Sequence, residues 1–219
     1  MKRLVDKIAV VTGTSGGIGM AITKRYLEEG VKVVAVDISR EGLQKLADTI
    51  GTNENLFPVQ TDITSEESTR NLYEQVLGKW NRLDIIVNNA GWYSIVSFEK
   101  MTFSDWRQVM GVNLDGAFLV TKSLLPLLKQ SADGRVINVS SGTFFSPVPS
   151  QTHYISAKAG ILGFTRALAI ELGALNIKVN AITPGLVTTQ ALKNNLGDEF
   201  IEFIAGQTKC GRADLRHNF

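Results

Sequence analysis

The sequence is poor in the residues that cross-link chains or bind metals. Among its 219 residues there is one cysteine, Cys210, and there are two histidines, His153 and His217. A single cysteine excludes an internal disulfide and suits a reducing compartment, so a cytoplasmic protein is expected. Two histidines without a neighbouring cluster of ligands argue against a metal site, and none is assigned. No apolar run is long enough to span a membrane. Lys2 and Arg3 open the chain as a signal peptide would, but Asp6 and Lys7 interrupt that pattern and the apolar stretch ends at Gly13. An excess of one charge is also missing: the net charge is +2. No lysine or arginine cluster supplies the one-signed surface that nucleic acid requires, so nucleic acid is not an expected partner. There are five prolines and no evident linker, and 44% of the residues are hydrophobic. These values predict a single domain over residues 1–219 with one sizeable core.

Glycine is present in quantity and in pattern. The run Thr12-Gly13-Thr14-Ser15-Gly16-Gly17-Ile18-Gly19 follows Ile8-Ala9-Val10-Val11, a continuous apolar stretch expected of a strand buried on both faces. After it, Ile18, Ile22, Tyr26 and Leu27 recur at helical spacing among charged residues, and Gly30 closes the segment. Strand, glycine loop and helix form the arrangement that binds a dinucleotide pyrophosphate, with the N–H groups of the helix start facing the anion. In it Gly13 permits the tight exit from the strand, Gly17 lets the pyrophosphate approach the backbone, and Gly19 lets the helix pack closely. Residues 31–36 read as the second strand, with Asp37 at its end. A carboxylate there accepts hydrogen bonds from ribose hydroxyls and repels a 2′-phosphate, which favours NAD over NADP. Arg40 nearby reads as a solvated charge in a first helical turn.

The rest of the chain alternates. Strands are expected near 7–12, 31–37, 55–60, 83–88, 134–140 and 177–183, with helices near 17–29, 40–51, 65–79, 102–130, 152–173 and 189–205. This order, without an internal repeat, predicts an α/β fold: a doubly wound parallel sheet with helices on both faces and a site at the carboxyl ends of the strands. A second constellation belongs to that site. Tyr154 and Lys158 stand four residues apart and share a helix face. A cation within a few ångströms lowers an acid by ~1–3 units from the ordinary phenol value of about 10, so Lys158 and a positively charged nicotinamide would bring Tyr154 near neutrality. Such a phenol exchanges a proton with a carbonyl or alcohol oxygen while hydride is transferred, and Ser141 would donate to the same oxygen. Singly, a helical tyrosine packs, a lysine is solvated and a serine caps; the combination carries the reading.

These residues resemble the short-chain dehydrogenase/reductase family from Lys7 to about Ala205. Thr12–Gly19 match its TGxxxGxG motif, Asp62 its acid near the adenine, and Asn88-Asn89-Ala90-Gly91 its NNAG segment. Asn113, Ser141, Tyr154 and Lys158 match its catalytic tetrad, and Pro184-Gly185 with Thr189 the segment that holds the nicotinamide carboxamide. The resemblance implies a Rossmann-type fold and a homodimer or tetramer. It implies NAD contacts from Gly13, Ser15, Gly17, Ile18, Gly19, Asp37, Asp62, Ile63, Asn89, Ala90, Gly91, Tyr154, Lys158, Pro184, Gly185, Val187 and Thr189. It further implies that Lys158 binds the nicotinamide ribose and that Asn113 holds a water relaying protons to solvent.

Trp92, Tyr93, Phe144, Phe145, Pro147, Val148 and His153 flank the motifs and are expected to line an apolar, aromatic substrate pocket. That lining predicts a hydrophobic secondary alcohol or ketone, and the segments around Trp92-Tyr93 and His153-Tyr154 are similar to aryl-alkyl alcohol dehydrogenases. A 3-oxoacyl-carrier-protein reductase is the alternative. That subgroup uses NADP and carries a basic residue in the glycine loop, where this chain has Gly16, with Asp37 beyond. Family members continue past a Gly-Arg pair, here Gly211-Arg212, through a further helix and a seventh strand. The chain is therefore expected to be short at its C-terminus, with its sixth strand left as an edge. A dinucleotide-binding protein without turnover is the third reading, opposed by the intact Ser141, Tyr154 and Lys158.

Overall fold

The computed structural model describes residues 2–187; Thr189, the helix expected near 189–205 and the tail from Gly211 lie outside the described residues. Six parallel strands form one sheet: β1 (Ile8–Thr12), β2 (Lys32–Asp37), β3 (Leu56–Gln60), β4 (Ile85–Asn88), β5 (Gly134–Val139) and β6 (Ile177–Ile182), in the order β3-β2-β1-β4-β5-β6. Val10 pairs with Val34 on one side and Ile86 on the other, so the strand order reverses at β1 and β4. β-Branched residues dominate the central strands because both faces are covered, and every residue of β1 and β4 is buried.

Six α-helices connect them: α1 (Gly17–Glu28), α2 (Arg40–Ile50), α3 (Glu66–Trp80), α4 (Phe103–Met110), α5 (Gly116–Leu128) and α6 (Thr152–Gly173). The period of two along each strand sorts the core into layers. Val10, Val34, Ile86 and Val136 pack with Leu72 of α3, Leu124 and Leu128 of α5 and Leu172 of α6. Ala9, Val11, Val33 and Val87 face the opposite way, onto Leu27 of α1, while Ala35 meets Leu43 and Leu46 of α2. The doubly wound α/β sheet is thus as the alternation predicts.

The helix expected over 102–130 differs. It is interrupted by a π-helical turn, Gly111–Asp115, between α4 and α5. Two local causes are visible. Gly116 is packed so tightly that a Cβ there would stand 2.6 Å from Ile63 Cδ1. Asn113 donates from Nδ2 to the Val109 carbonyl at 2.9 Å and to the Trp92 carbonyl at 2.6 Å, drawing the turn toward the loop after β4. Such π-bulges are frequent at functional sites. Beneath the site a buried polar network ties strands to helices. Asn88 Nδ2 donates to Asn138 Oδ1 (2.8 Å) and Thr121 Oγ1 (2.9 Å), and Asn138 Nδ2 donates to Thr165 Oγ1 (2.9 Å). Among the described residues no helix is long and apolar enough to cross a membrane.

Candidate active site

The glycine loop is shaped by close approach. Gly13 has a left-handed φ of 72°, and a Cβ on it would stand 2.8 Å from the Ala90 Cα. At Gly19 a Cβ would stand 2.6 Å from Asn89 Nδ2 and closer still to the Gly13 carbonyl oxygen, so the start of α1 packs directly on the loop. Thr12 and Asn89 staple the ends of β1 and β4 together. Thr12 Oγ1 accepts the N–H groups of Asn89 and Ala90, each at 3.0 Å, and Asn89 Nδ2 donates to the carbonyls of Thr12 (2.9 Å) and Gly13 (3.2 Å). The Asn89 side chain, expected among the cofactor contacts, is therefore committed to holding the loop, with exposed Gly91 just beyond it.

Asp37 is also tied to this loop: its Oδ2 accepts the Ser15 N–H at 2.9 Å and its Oδ1 the Ser39 N–H at 3.0 Å. Ser15 Oγ is buried without a partner among the described residues, in space that exists because residue 42 is glycine. Asp62 accepts the backbone and hydroxyl of Thr64 at 2.9 and 2.7 Å at the entry to α3. The Ile63 side chain is buried against Gly116.

The reactive groups meet where β5 and β6 end and α6 begins. Ser141 follows β5 and accepts the N–H and hydroxyl of Thr143 at 3.2 and 2.9 Å. Gly142 N–H donates to the Pro184 carbonyl at 2.9 Å, which sets Pro184-Gly185 beside Ser141; half-buried Val187 is the last described residue. The Lys158 ammonium is buried, lies 5.7 Å from the Tyr154 ring centroid and donates to the Val139 carbonyl at 2.9 Å. Burial pushes Lys158 down to about 8. Burial also holds the Tyr154 phenol above its ordinary value, with the Ser141 hydroxyl opposing and Tyr93 adding to the shift. Of the two charges expected to lower the phenol, Lys158 and a positively charged nicotinamide, the lysine does not by itself offset burial. Both groups are desolvated, each disfavouring its own charged form, so lowering the phenol requires further positive charge at the site.

Asn113 sits in the π-helical turn with Oδ1 buried and unpartnered among the described residues. A Cβ on Gly91 would stand 2.9 Å from that oxygen and 3.4 Å from Lys158 Nζ, so both groups flank one small space. An unpaired acceptor beside a buried ammonium is a polar site of the kind that holds water.

The expected pocket residues divide. Phe144 and Phe145 are exposed and meet edge to face at 5.0 Å, Trp92 is partly exposed, and the Tyr93 ring lies 5.8 Å from that of Tyr154. Val148 is half-buried. His153 is a correction: it is fully buried and bonded to Ser94 and to the backbone of Tyr154, so it forms no pocket wall. From sequence, Thr12 stands only as the first residue of the glycine motif, and Ser94 and Gly42 are not expected at the site. Their roles depend on partners 77, 59 and 27 residues away in the chain, and no local pattern announces them. A separate groove of about 600 Å³, lined by Leu114, Phe118, Leu119 and Phe164, opens elsewhere on α5 and α6 and contains none of the reactive groups.

A model of the family described as short chain dehydrogenase matches residues 7–199. A 3-oxoacyl-[acyl-carrier-protein] reductase of Thermotoga maritima is 37% identical over 188 residues, covering 85% of this chain and 76% of the relative. A (2S)-[(R)-hydroxy(phenyl)methyl]succinyl-CoA dehydrogenase subunit of Thauera aromatica is 32% identical over 208 residues, covering 94% and 83%. Among solved structures, a 3-ketoacyl-(acyl-carrier-protein) reductase of Brucella melitensis complexed with NADH superposes with a TM-score of 0.85 at 31% identity, covering 91% of this chain and 83% of that one.

Proposed function

The chain belongs to the short-chain dehydrogenase family, and on that premise we propose that it is an NAD(H)-dependent oxidoreductase of the 3-oxo group of acyl thioesters. The observation that carries the reaction type is the convergence of Ser141, Tyr154 and Lys158 with an Asn113 oxygen that has no partner among the described residues, at the carboxyl ends of the strands. The substrate class rests on the relatives, whose names specify acyl-carrier-protein and CoA derivatives. It replaces the aryl-alkyl alcohol as the first reading. Exposed Phe144 and Phe145 beside Ser141 favour a hydrophobic ketone as the second.

The residues present fit a nicotinamide dinucleotide. The N–H groups at the start of α1 and the open space around Gly16 suit the pyrophosphate, and the Ser15 N–H ties the loop to Asp37. The Asp37 carboxylate, fixed by two backbone N–H groups, keeps lone pairs for ribose hydroxyls and supplies the charge that disfavours a 2′-phosphate. When bound, the nicotinamide supplies or accepts the hydride. In reduction Tyr154 gives its phenolic proton to the carbonyl oxygen and Ser141 donates a hydrogen bond to the same atom, stabilising the developing charge. Lys158 stabilises the phenolate left behind. Reprotonation follows through the space shared by Lys158 Nζ and Asn113 Oδ1, which lies against exposed Gly91 and so leads to solvent.

The test is a comparison of 3-oxoacyl-CoA thioesters with aryl-alkyl ketones, using NADH and NADPH and reading cofactor absorbance. The proposal expects kcat/KM at least about tenfold higher for the thioesters and for NADH. Preference for the ketones supports the second reading, and NADH binding without turnover of either class refutes both.

A further inference from the structure

His153 immediately precedes Tyr154 and has no exposed surface. Its Nδ1 accepts the Tyr154 backbone N–H at 2.9 Å, and its Nε2 lies 2.9 Å from Ser94 Oγ. A ring nitrogen that accepts cannot carry the proton, which assigns the N–H to Nε2 as a donor to Ser94. Burial lowers the His153 pKa, with the Gln151 backbone and the Asp105 carboxylate of α4 acting the other way, so the neutral ring is the form present near neutral pH.

The Tyr154 N–H belongs to the first turn of α6, where no helical carbonyl can reach it. The first intrahelical bond runs from Ile155 N–H to the Gln151 carbonyl at 2.9 Å, and Gln151 contributes no side-chain cap. The imidazole therefore caps the helix that presents Tyr154 and Lys158. Ser94, at the other end of the imidazole, lies on a loop pinned from both sides. Asn113 Nδ2 holds the Trp92 carbonyl at 2.6 Å, and Val96 N–H donates to the Ser150 carbonyl at 2.9 Å. A continuous set of hydrogen bonds thus runs from Asn113 through the loop after β4 to the backbone of Tyr154.

We propose that Ser94 and His153 are positioning residues whose hydrogen-bonded strut sets the Tyr154 phenol against Ser141, so that His153 governs kcat without touching substrate or cofactor. The inference rests on the reading of Tyr154 as the acid in carbonyl reduction. Misplacing a reacting group by an ångström costs about 10²-fold in rate, and this sets the scale of the effect. His153→Leu removes both hydrogen bonds while keeping an apolar side chain, and Ser94→Ala removes one.

The experiment measures kcat, KM and NADH affinity for Ser94→Ala, His153→Leu, the double variant and His153→Asn. The expected result is a kcat lowered about fivefold in Ser94→Ala and about 30-fold in His153→Leu, with KM and NADH affinity within about twofold of wild type. The double variant should resemble His153→Leu alone, because both changes remove the same strut. Asparagine, with an acceptor and a donor on one side chain, should recover part of the loss. An unchanged kcat in Ser94→Ala, or losses that multiply in the double variant, overturns the proposal. Should His153→Leu fail to fold, Ser94→Ala and His153→Asn carry the decision.

A second readout needs no turnover. Ultraviolet titration of tyrosinate, taken as the difference from Tyr154→Phe, isolates the phenol faced by Ser141, Tyr93 and Lys158. Ser94→Ala should displace that titration, and an unmoved curve counts against the strut. If wild type reduces no carbonyl substrate, the functional reading fails and this titration alone judges the strut.

Discussion

Gly19→Ala offers the sharpest test of the glycine loop, because the structure gives both the perturbation and its control. An alanine Cβ at residue 19 would stand 2.6 Å from Asn89 Nδ2 and 2.8 Å from the Gly13 carbonyl carbon, inside the 3.0 Å that real Cβ contacts respect. Both neighbours are rigid: one is backbone, and the other is an amide bonded to the Thr12 and Gly13 carbonyls. Relief therefore requires the start of α1 to move away from the loop and strains the Asn89 bonds. Overpacking of this kind costs about 1–3 kcal/mol, and one weakened hydrogen bond adds about 1 kcal/mol. If about 2 kcal/mol of that total falls on the cofactor cradle, NADH affinity drops roughly 30-fold. Fluorescence titration of NADH and a thermal melt measure the two parts. Gly16→Ala is the stability control: its φ of 179° is open to any residue, and nothing lies within 4 Å of a Cβ there. A Gly19→Ala protein that melts with wild type and binds NADH within about threefold would refute the packing argument.

The sheet and its helices were legible because the signals are local. Ile8–Val11 announces a buried strand, Gly13 and Gly19 are needed at close approaches that their motif implies, and Tyr154 and Lys158 share the face of one helix. What escaped the reading depends on distant partners or on burial. The π-helical turn at Gly111–Asp115 is set by Asn113 reaching Trp92, 21 residues earlier, and helical periodicity does not encode that bond. His153 flanks Tyr154 in a segment expected to line the pocket, yet its ring turns inward because Ser94 and the Tyr154 N–H offer it partners. The electrostatics escaped for the same reason. Four-residue spacing places Lys158 near Tyr154, but only the fold reveals that both are desolvated and that the ammonium donates to Val139. Substrate preference was the least legible, since it depends on loop side chains such as Phe144 and Phe145 whose exposure no periodicity fixes.

Tyr154→Phe should remove most turnover while NADH binding stays within about twofold; kcat within a few-fold of wild type would eliminate Tyr154 as the acid. Asp37→Ser should narrow the preference for NADH over NADPH, because the charge facing a 2′-phosphate is gone, and steady-state assays with both cofactors read this directly. A wild-type enzyme that already prefers NADPH would refute the role given to Asp37. The last prediction joins Lys158 to pH. Burial holds its ammonium at about 8, below its usual 10.5, while the Tyr154 phenol lies above its own ordinary value, so on raising the pH the lysine loses its proton first. Reduction leaves a phenolate, and Lys158 stabilises it by charge only in the ammonium form. The rate should therefore fall as pH rises through about 8, and Lys158→Met should show a low kcat without that limb. Stability has the opposite sign. Because the folded value is depressed, the unfolded chain binds more protons between about 8 and 10.5, so melting temperature should rise with pH across that window in wild type relative to Lys158→Met. An alkaline limb that persists unchanged in Lys158→Met, or parallel melting curves for the two proteins, would show that the buried ammonium is not the group that titrates.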